Sequence, residues 1–116
     1  VLLLDSLNIN EGNLTMQVNL TWTTPALRAD GTTPLSLAEI QTTEVKRNGT
    51  VIGTPVAVVG AMAFSDTTPL TGSDVYTVDT ITTDGFVSKD SNSVTITVAA
   101  ANPAAAVTDL AGVFVP

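Results

Sequence analysis

The sequence predicts an all-β protein: seven antiparallel strands forming one sandwich, followed by an extended C-terminal tail. Three observations carry this. Apolar residues recur at period two, turn-forming residues punctuate the chain at short intervals, and no stretch shows the 3.6-residue period of an amphipathic helix. The strands are expected at about 2–9, 14–22, 39–47, 50–58, 61–65, 75–82 and 93–99.

The first is the apolar opening Leu2-Leu3-Leu4-Asp5-Ser6-Leu7, closed by the turn residues Asn10-Glu11-Gly12-Asn13. In the second, Leu14, Met16, Val18, Leu20 and Trp22 alternate with Thr15, Gln17, Asn19 and Thr21, the pattern of a half-buried strand. A long loop over residues 24–37 follows, holding Pro25, Asp30-Gly31 and Pro34. Strands three and four flank Asn48-Gly49, a pair that tolerates positive φ at both central positions of a tight hairpin. A short fifth strand surrounds Met62 to Ser65, and Thr68-Pro69-Leu70-Thr71-Gly72-Ser73 separates it from the sixth. Tyr76, Val78 and Thr80 are the inward set of the sixth strand; Val94, Ile96 and Val98 are that of the seventh, beyond a loop opened by Asp84-Gly85. Small residues and Pro103 make residues 99–106 read as a linker. The domain is therefore expected over 1–99, and the linker and apolar tail over 100–116.

Composition excludes several kinds of function. The chain has 116 residues, enough for one core. It holds no cysteine and no histidine, which removes thiolate chemistry, the commonest general base and the commonest transition-metal ligand. Four basic residues against eleven acidic ones give a net charge of −7, which repels phosphate backbones, so no nucleic-acid partner is expected. No apolar run is long enough to span a bilayer. The opening residues lack the basic flank and cleavage site of a signal peptide.

Several segments together resemble a fibronectin type III domain, an immunoglobulin-like fold. Leu20-Thr21-Trp22-Thr23-Thr24-Pro25 is similar to that family's second strand, and Asp30-Gly31-Thr32-Thr33-Pro34-Leu35 to the next loop in bacterial and bacteriophage members. The run from Glu44 through Asn48-Gly49 to Thr54 resembles its third strand, hairpin and fourth strand. Phe64 to Leu70 resembles the fifth strand and its corner, Tyr76-Thr77-Val78-Asp79-Thr80 the sixth strand with its corner tyrosine, and Ser91 to Val98 the last strand. The resemblance spans about Leu14 to Val98. It implies a spacer, adhesion or assembly module and no activity. Pro103 to Leu110 further resembles the linker and opening strand of another such domain.

Candidate site residues are weighed against packing and turn chemistry. Trp22 and Tyr76 read as core, with the Tyr76 hydroxyl expected on nearby backbone, as the corner tyrosine implies. Phe86 is the best exposed aromatic, which leaves glycan binding weakly supported. Asp84, Asp90, Ser91 and Asn92, and Asp66 with Asp74, read as turn residues rather than calcium ligands. Lys46 and Lys89 with Asn92 raise an intramolecular isopeptide bond, but both lysines adjoin turns and are expected in solvent. No catalytic, cofactor-binding or metal-binding residue is assigned, and the chain is not expected to be an enzyme.

The partner-binding residues expected are those of the tail: Val107, Leu110, Val113, Phe114 and Val115. The tail reads either as the start of a further repeat or as a strand docking on a neighbour, with disorder third. The expected function is a structural or interaction module, an accessory decoration or cementing component of a bacteriophage virion or similar assembly. Its partners are expected to be proteins, copies of itself included, at a virion surface or outside the cell. The alternative is a spacer or a carbohydrate- or protein-binding module from a secreted bacterial enzyme or adhesin.

Overall fold

The structure is a computed structural model that describes residues 2–10, 15–70, 72–98 and 104–116, with backbone alone over 4–10, at 15 and 16, and at 98. It is all-β. The described residues form seven strands: β1 (Leu3–Asn10), β2 (Thr15–Thr23), β3 (Ile40–Arg47), β4 (Thr50–Gly53), β5 (Ala61–Asp66), β6 (Gly72–Thr82) and β7 (Val94–Val98). They form two antiparallel sheets, ordered β1-β2-β5 and β4-β3-β6-β7. The only helical piece among the described residues is a single 3-10 turn, Leu37–Glu39, led in by Ser36, whose N–H donates to Glu39 Oε1 at 3.2 Å.

Period-two burial explains the pairing. Val18, Leu20 and Trp22 of β2 and Met62 of β5 bury their side chains from one sheet; Val45, Tyr76, Val78 and Ile96 do so from the other. Leu2 joins them, so both sheets contribute to one hydrophobic core. A one-residue slip in any of these strands would turn its apolar set outward, which fixes the registers Trp22↔Met62 and Val45↔Val78.

Two strand bounds differ from expectation by more than one residue. The fourth strand stops at Gly53 instead of reaching residue 58. Pro55 has no N–H for a ladder, and the chain must leave this sheet to enter β5 in the other. The sixth strand begins at Gly72, earlier than residue 75, because Gly72, Ser73 and Asp74 pair with Val98, Thr97 and Ile96. The boundary at 99/100 and the linker through 103 lie outside the described residues, as does the Asn10 to Asn13 turn beyond its first residue.

The β3–β4 hairpin forms as its sequence requires. Asn48 and Gly49 take φ of 53° and 81°, the left-handed pair of a primed turn. Asn48 is also bolted to β6: its Nδ2 donates to Asp74 Oδ1 at 3.1 Å, and its Oδ1 accepts from Val75 N at 2.8 Å.

Gly53 has a different reason to be glycine. A Cβ there would run into the ring of Phe64 on β5, at the point where the chain turns out of one sheet toward the other. Gly53→Ala is expected to destabilise by about 1–3 kcal/mol, as overpacking does, read as a lower urea midpoint with unchanged slope.

Candidate functional site

Two loops build an apolar groove. The loop after β2 folds back on itself: Leu27 bridges Pro34, Arg28 N donates to Thr33 O at 2.7 Å, and Leu35 N donates to Ala26 O at 2.9 Å. Asp30 closes its tip by accepting from Thr32 N at 2.9 Å and Thr33 N at 2.8 Å, and the Thr33 hydroxyl helps pull its carboxyl down to about 2.

The loop after β6 is held just as firmly. Thr82 N donates to Phe86 O at 2.9 Å and Gly85 N to Thr82 O at 2.9 Å. Farther along, two serine hydroxyls replace carbonyls as ladder acceptors: Ser88 Oγ takes Thr80 N and Ser91 Oγ takes Val78 N, each at 2.9 Å. This arrangement presents Phe86 and Val87 outward, Phe86 with 72% of its surface exposed.

Between the loops lies a groove of about 420 Å³ with Leu27 and Leu35 on one wall, Phe86 and Val87 on the other, and Thr80 and Thr82 at its floor. Arg28 ties the loops together, pairing with Glu39 and with Asp84 Oδ2 at 3.6 Å. The groove suits apolar side chains, with few convergent polar groups to orient a small polar ligand.

The tail is the second feature. Residues 104–116 take no regular secondary structure and are exposed throughout. Val107, Leu110, Val113, Phe114 and Val115 expose 77–91% of their surface. The molecule is 89 Å long and only 21 and 18 Å across, and its radius of gyration is 21.6 Å. A compact chain of this length has about 13 Å. No described residue of the tail is in a strand.

The polar side chains singled out in the sequence are mostly engaged in the fold. The Tyr76 hydroxyl does not bond backbone; it donates to Asp66 Oδ2 at 2.6 Å in the buried interior. Asp66 is no simple turn residue either. It accepts from Arg47 Nη1 at 2.8 Å and Thr68 N at 3.1 Å, and Asp66 itself is 5% exposed. Burial alone would raise its pKa, but the Tyr76, Arg47 and Thr68 donors outweigh that and hold it below 3.8. Asp84 accepts from the Thr82 hydroxyl, and Asn92 grips the Leu2 backbone at both ends, at 2.8 and 3.1 Å. These acids and amides therefore point to separate partners, and among the described residues no three acidic side chains are placed to share a metal ion.

Lys46 corrects a second expectation. It does not sit free in solvent: its Nζ lies 2.7 Å from Asp79 Oδ2 and 3.1 Å from Asp90 Oδ1. Asp79 is fully buried, and no well-directed hydrogen bond reaches either of its oxygens. Glu44 stands opposite Asp79 in the ladder, and that neighbouring carboxyl raises the Glu44 pKa. The Asp79 and Asp90 carboxylates facing the Lys46 amine raise its pKa. Lys46 is thus held in an ion pair with Asp79 and Asp90. Asn92, bound to Leu2, is not its acceptor.

Tyr76 is the only tyrosine, which makes its environment measurable. Burial, then the Asp66 hydrogen bond, raise its pKa above 10.0. A raised folded pKa gives stability that is whole below the unfolded value and is lost as pH climbs past it. Tyrosinate absorbance is expected only together with unfolding, above about pH 10; early ionisation with the fold intact would contradict the buried pair.

No protein-family model, curated protein or solved structure matches the chain. Sequence reading found the tail and Phe86. It missed Leu27, Leu35 and Val87 as a groove, because isolated apolar residues in a polar loop carry no period; the flanking Pro25 and Pro34 were the available signal.

Proposed function

We propose that the chain is a non-catalytic, immunoglobulin-like sandwich module of the fibronectin type III kind. It serves as an accessory, decorating or cementing component of a large protein assembly such as a bacteriophage virion. The strand order supports the fold reading. In the constant-type immunoglobulin sandwich the fourth strand lies in the sheet of the first, second and fifth. Here it pairs with the third, as the resemblance of the Glu44 to Thr54 hairpin implies. Trp22 and Tyr76 packed in the core fit the same reading.

The observation that carries the function is the tail: an apolar segment fully exposed beyond the domain. Such a segment is costly to leave in water and gains by docking on protein. Immunogold labelling of particles purified from cells that make the protein tests the reading. Label on particle surfaces is the expected result; a chain wholly in the soluble fraction overturns it. Deleting residues 104–116 is expected to abolish labelling while changing domain stability by less than about 0.5 kcal/mol, since no core side chain is removed. The resemblance of Pro103 to Leu110 to an opening strand favours a second reading, a spacer or binding module in a repeat array. That reading expects the domain to be followed by further repeats in its parent protein.

A further inference from the structure

We infer that the tail of one copy docks in the groove of a second copy, so that the protein associates head to tail. This rests on the reading of the tail as a docking segment and names its partner and its seat.

Val98, the last residue of β7, pairs with Gly72 at the start of β6, while Thr80 and Thr82 at the far end of β6 form the groove floor. The eight to ten residues of β6 between them span about 27–34 Å. Val107 lies nine chain steps beyond Val98, and even fully extended these reach only about 32 Å. The first tail anchor would arrive at its own groove with no slack, and the chain would have to double back to do it. A second copy placed in line meets no such constraint, and the tail stands exposed along an 89 Å molecule.

Spacing and charge then agree. Val107, Leu110 and Val113 recur every third residue rather than every second. A three-residue period lines one face of a polyproline II helix, the extended form that docks in aromatic-lined grooves. Such a face spans about 19 Å from Val107 to Val113. The groove offers Leu27, Leu35 and Phe86 to it. Each copy carries −7, so bodies meeting face to face repel, but the described tail contributes only Asp109 to the charge. The seat and the inserted segment differ, so the contact is heterologous and each bound copy still offers one free end.

Sedimentation of the full chain over a range of concentrations tests this. The expected mass rises through dimer to longer series, and added salt promotes the rise by screening repulsion. Phe86→Asp removes the seat and Leu110→Asp the anchor; both residues are exposed, so both variants keep the fold. Each variant alone is expected to associate at least about tenfold more weakly. Mixed one to one, they are expected to pair through the single intact groove and tail and to stop at dimers. A full chain that stays monomeric, a Phe86→Asp variant that still elongates, or a mixture that fails to pair overturns the inference. Particle labelling that persists with a monomeric chain would remove this inference and leave the proposed function standing; elongation without labelling would do the reverse.

Discussion

Asp66→Ala is expected to lower the stability of the domain by about 3 kcal/mol, the cost of leaving a buried ion pair and a buried hydroxyl without their partner. The carboxylate receives the Tyr76 hydroxyl, the Arg47 guanidinium and the Thr68 amide at once. Arg47 keeps a second acceptor, Thr68 O at 2.8 Å, so it is not wholly orphaned; the Tyr76 hydroxyl has no other bonded partner described. Tyr76→Phe removes only one donor and is expected to cost about 1 kcal/mol. Urea unfolding followed by the fluorescence of the lone Trp22 reads both. Equal losses for the two variants would show that Arg47 gains nothing from Asp66. The pH dependence has a definite sign. Because the folded Asp66 pKa lies below 3.8, its contribution is whole above that value and disappears as pH falls through the lower folded one. The acid limb of the stability curve is therefore expected to be shallower in Asp66→Ala.

Trp22→Ala is expected to cost about 3–5 kcal/mol, the range for removing a large buried aromatic. Trp22 is 7% exposed, pairs across the ladder with Met62 and packs in the core shared by both sheets. The indole fills space that neither sheet can close by itself, since each is fixed by its own ladder. Circular dichroism must follow this variant, because the substitution removes the fluorophore. A loss below about 1 kcal/mol would mean the site collapses around the gap, contrary to a close-packed core.

Most of the strand plan was legible because period-two patterning and turn chemistry act locally. Val18, Leu20 and Trp22 announce a buried face without knowledge of what covers it. Asn48-Gly49 specifies its own turn. Most of the failures share a cause: they depend on what lies across the fold. Asp66 looks like a corner residue until Arg47 and Tyr76 are brought to it from two other strands. Lys46 looks solvated until pairing of β3 with β6 sets Asp79 beside it. Pro55 could have shortened the fourth strand in advance, but the apolar run Val56, Ala57, Val58 masked it. The tail was legible in composition, and the groove was not, because it exists only where two distant loops meet.

The ladder between β6 and β7 also decides how the molecule carries load. Asn92 clamps Leu2 near the start of β7, and the chain leaves toward the tail at Val98, at the other end of that strand. Tension entering through the tail therefore pulls β7 lengthwise along β6. Antiparallel hydrogen bonds lie perpendicular to the strands, so the pairs from Gly72↔Val98 to Tyr76↔Val94 resist such a pull in shear, together rather than one after another. A series of these domains joined end to end would behave as a tether whose links are loaded in shear instead of unzipping.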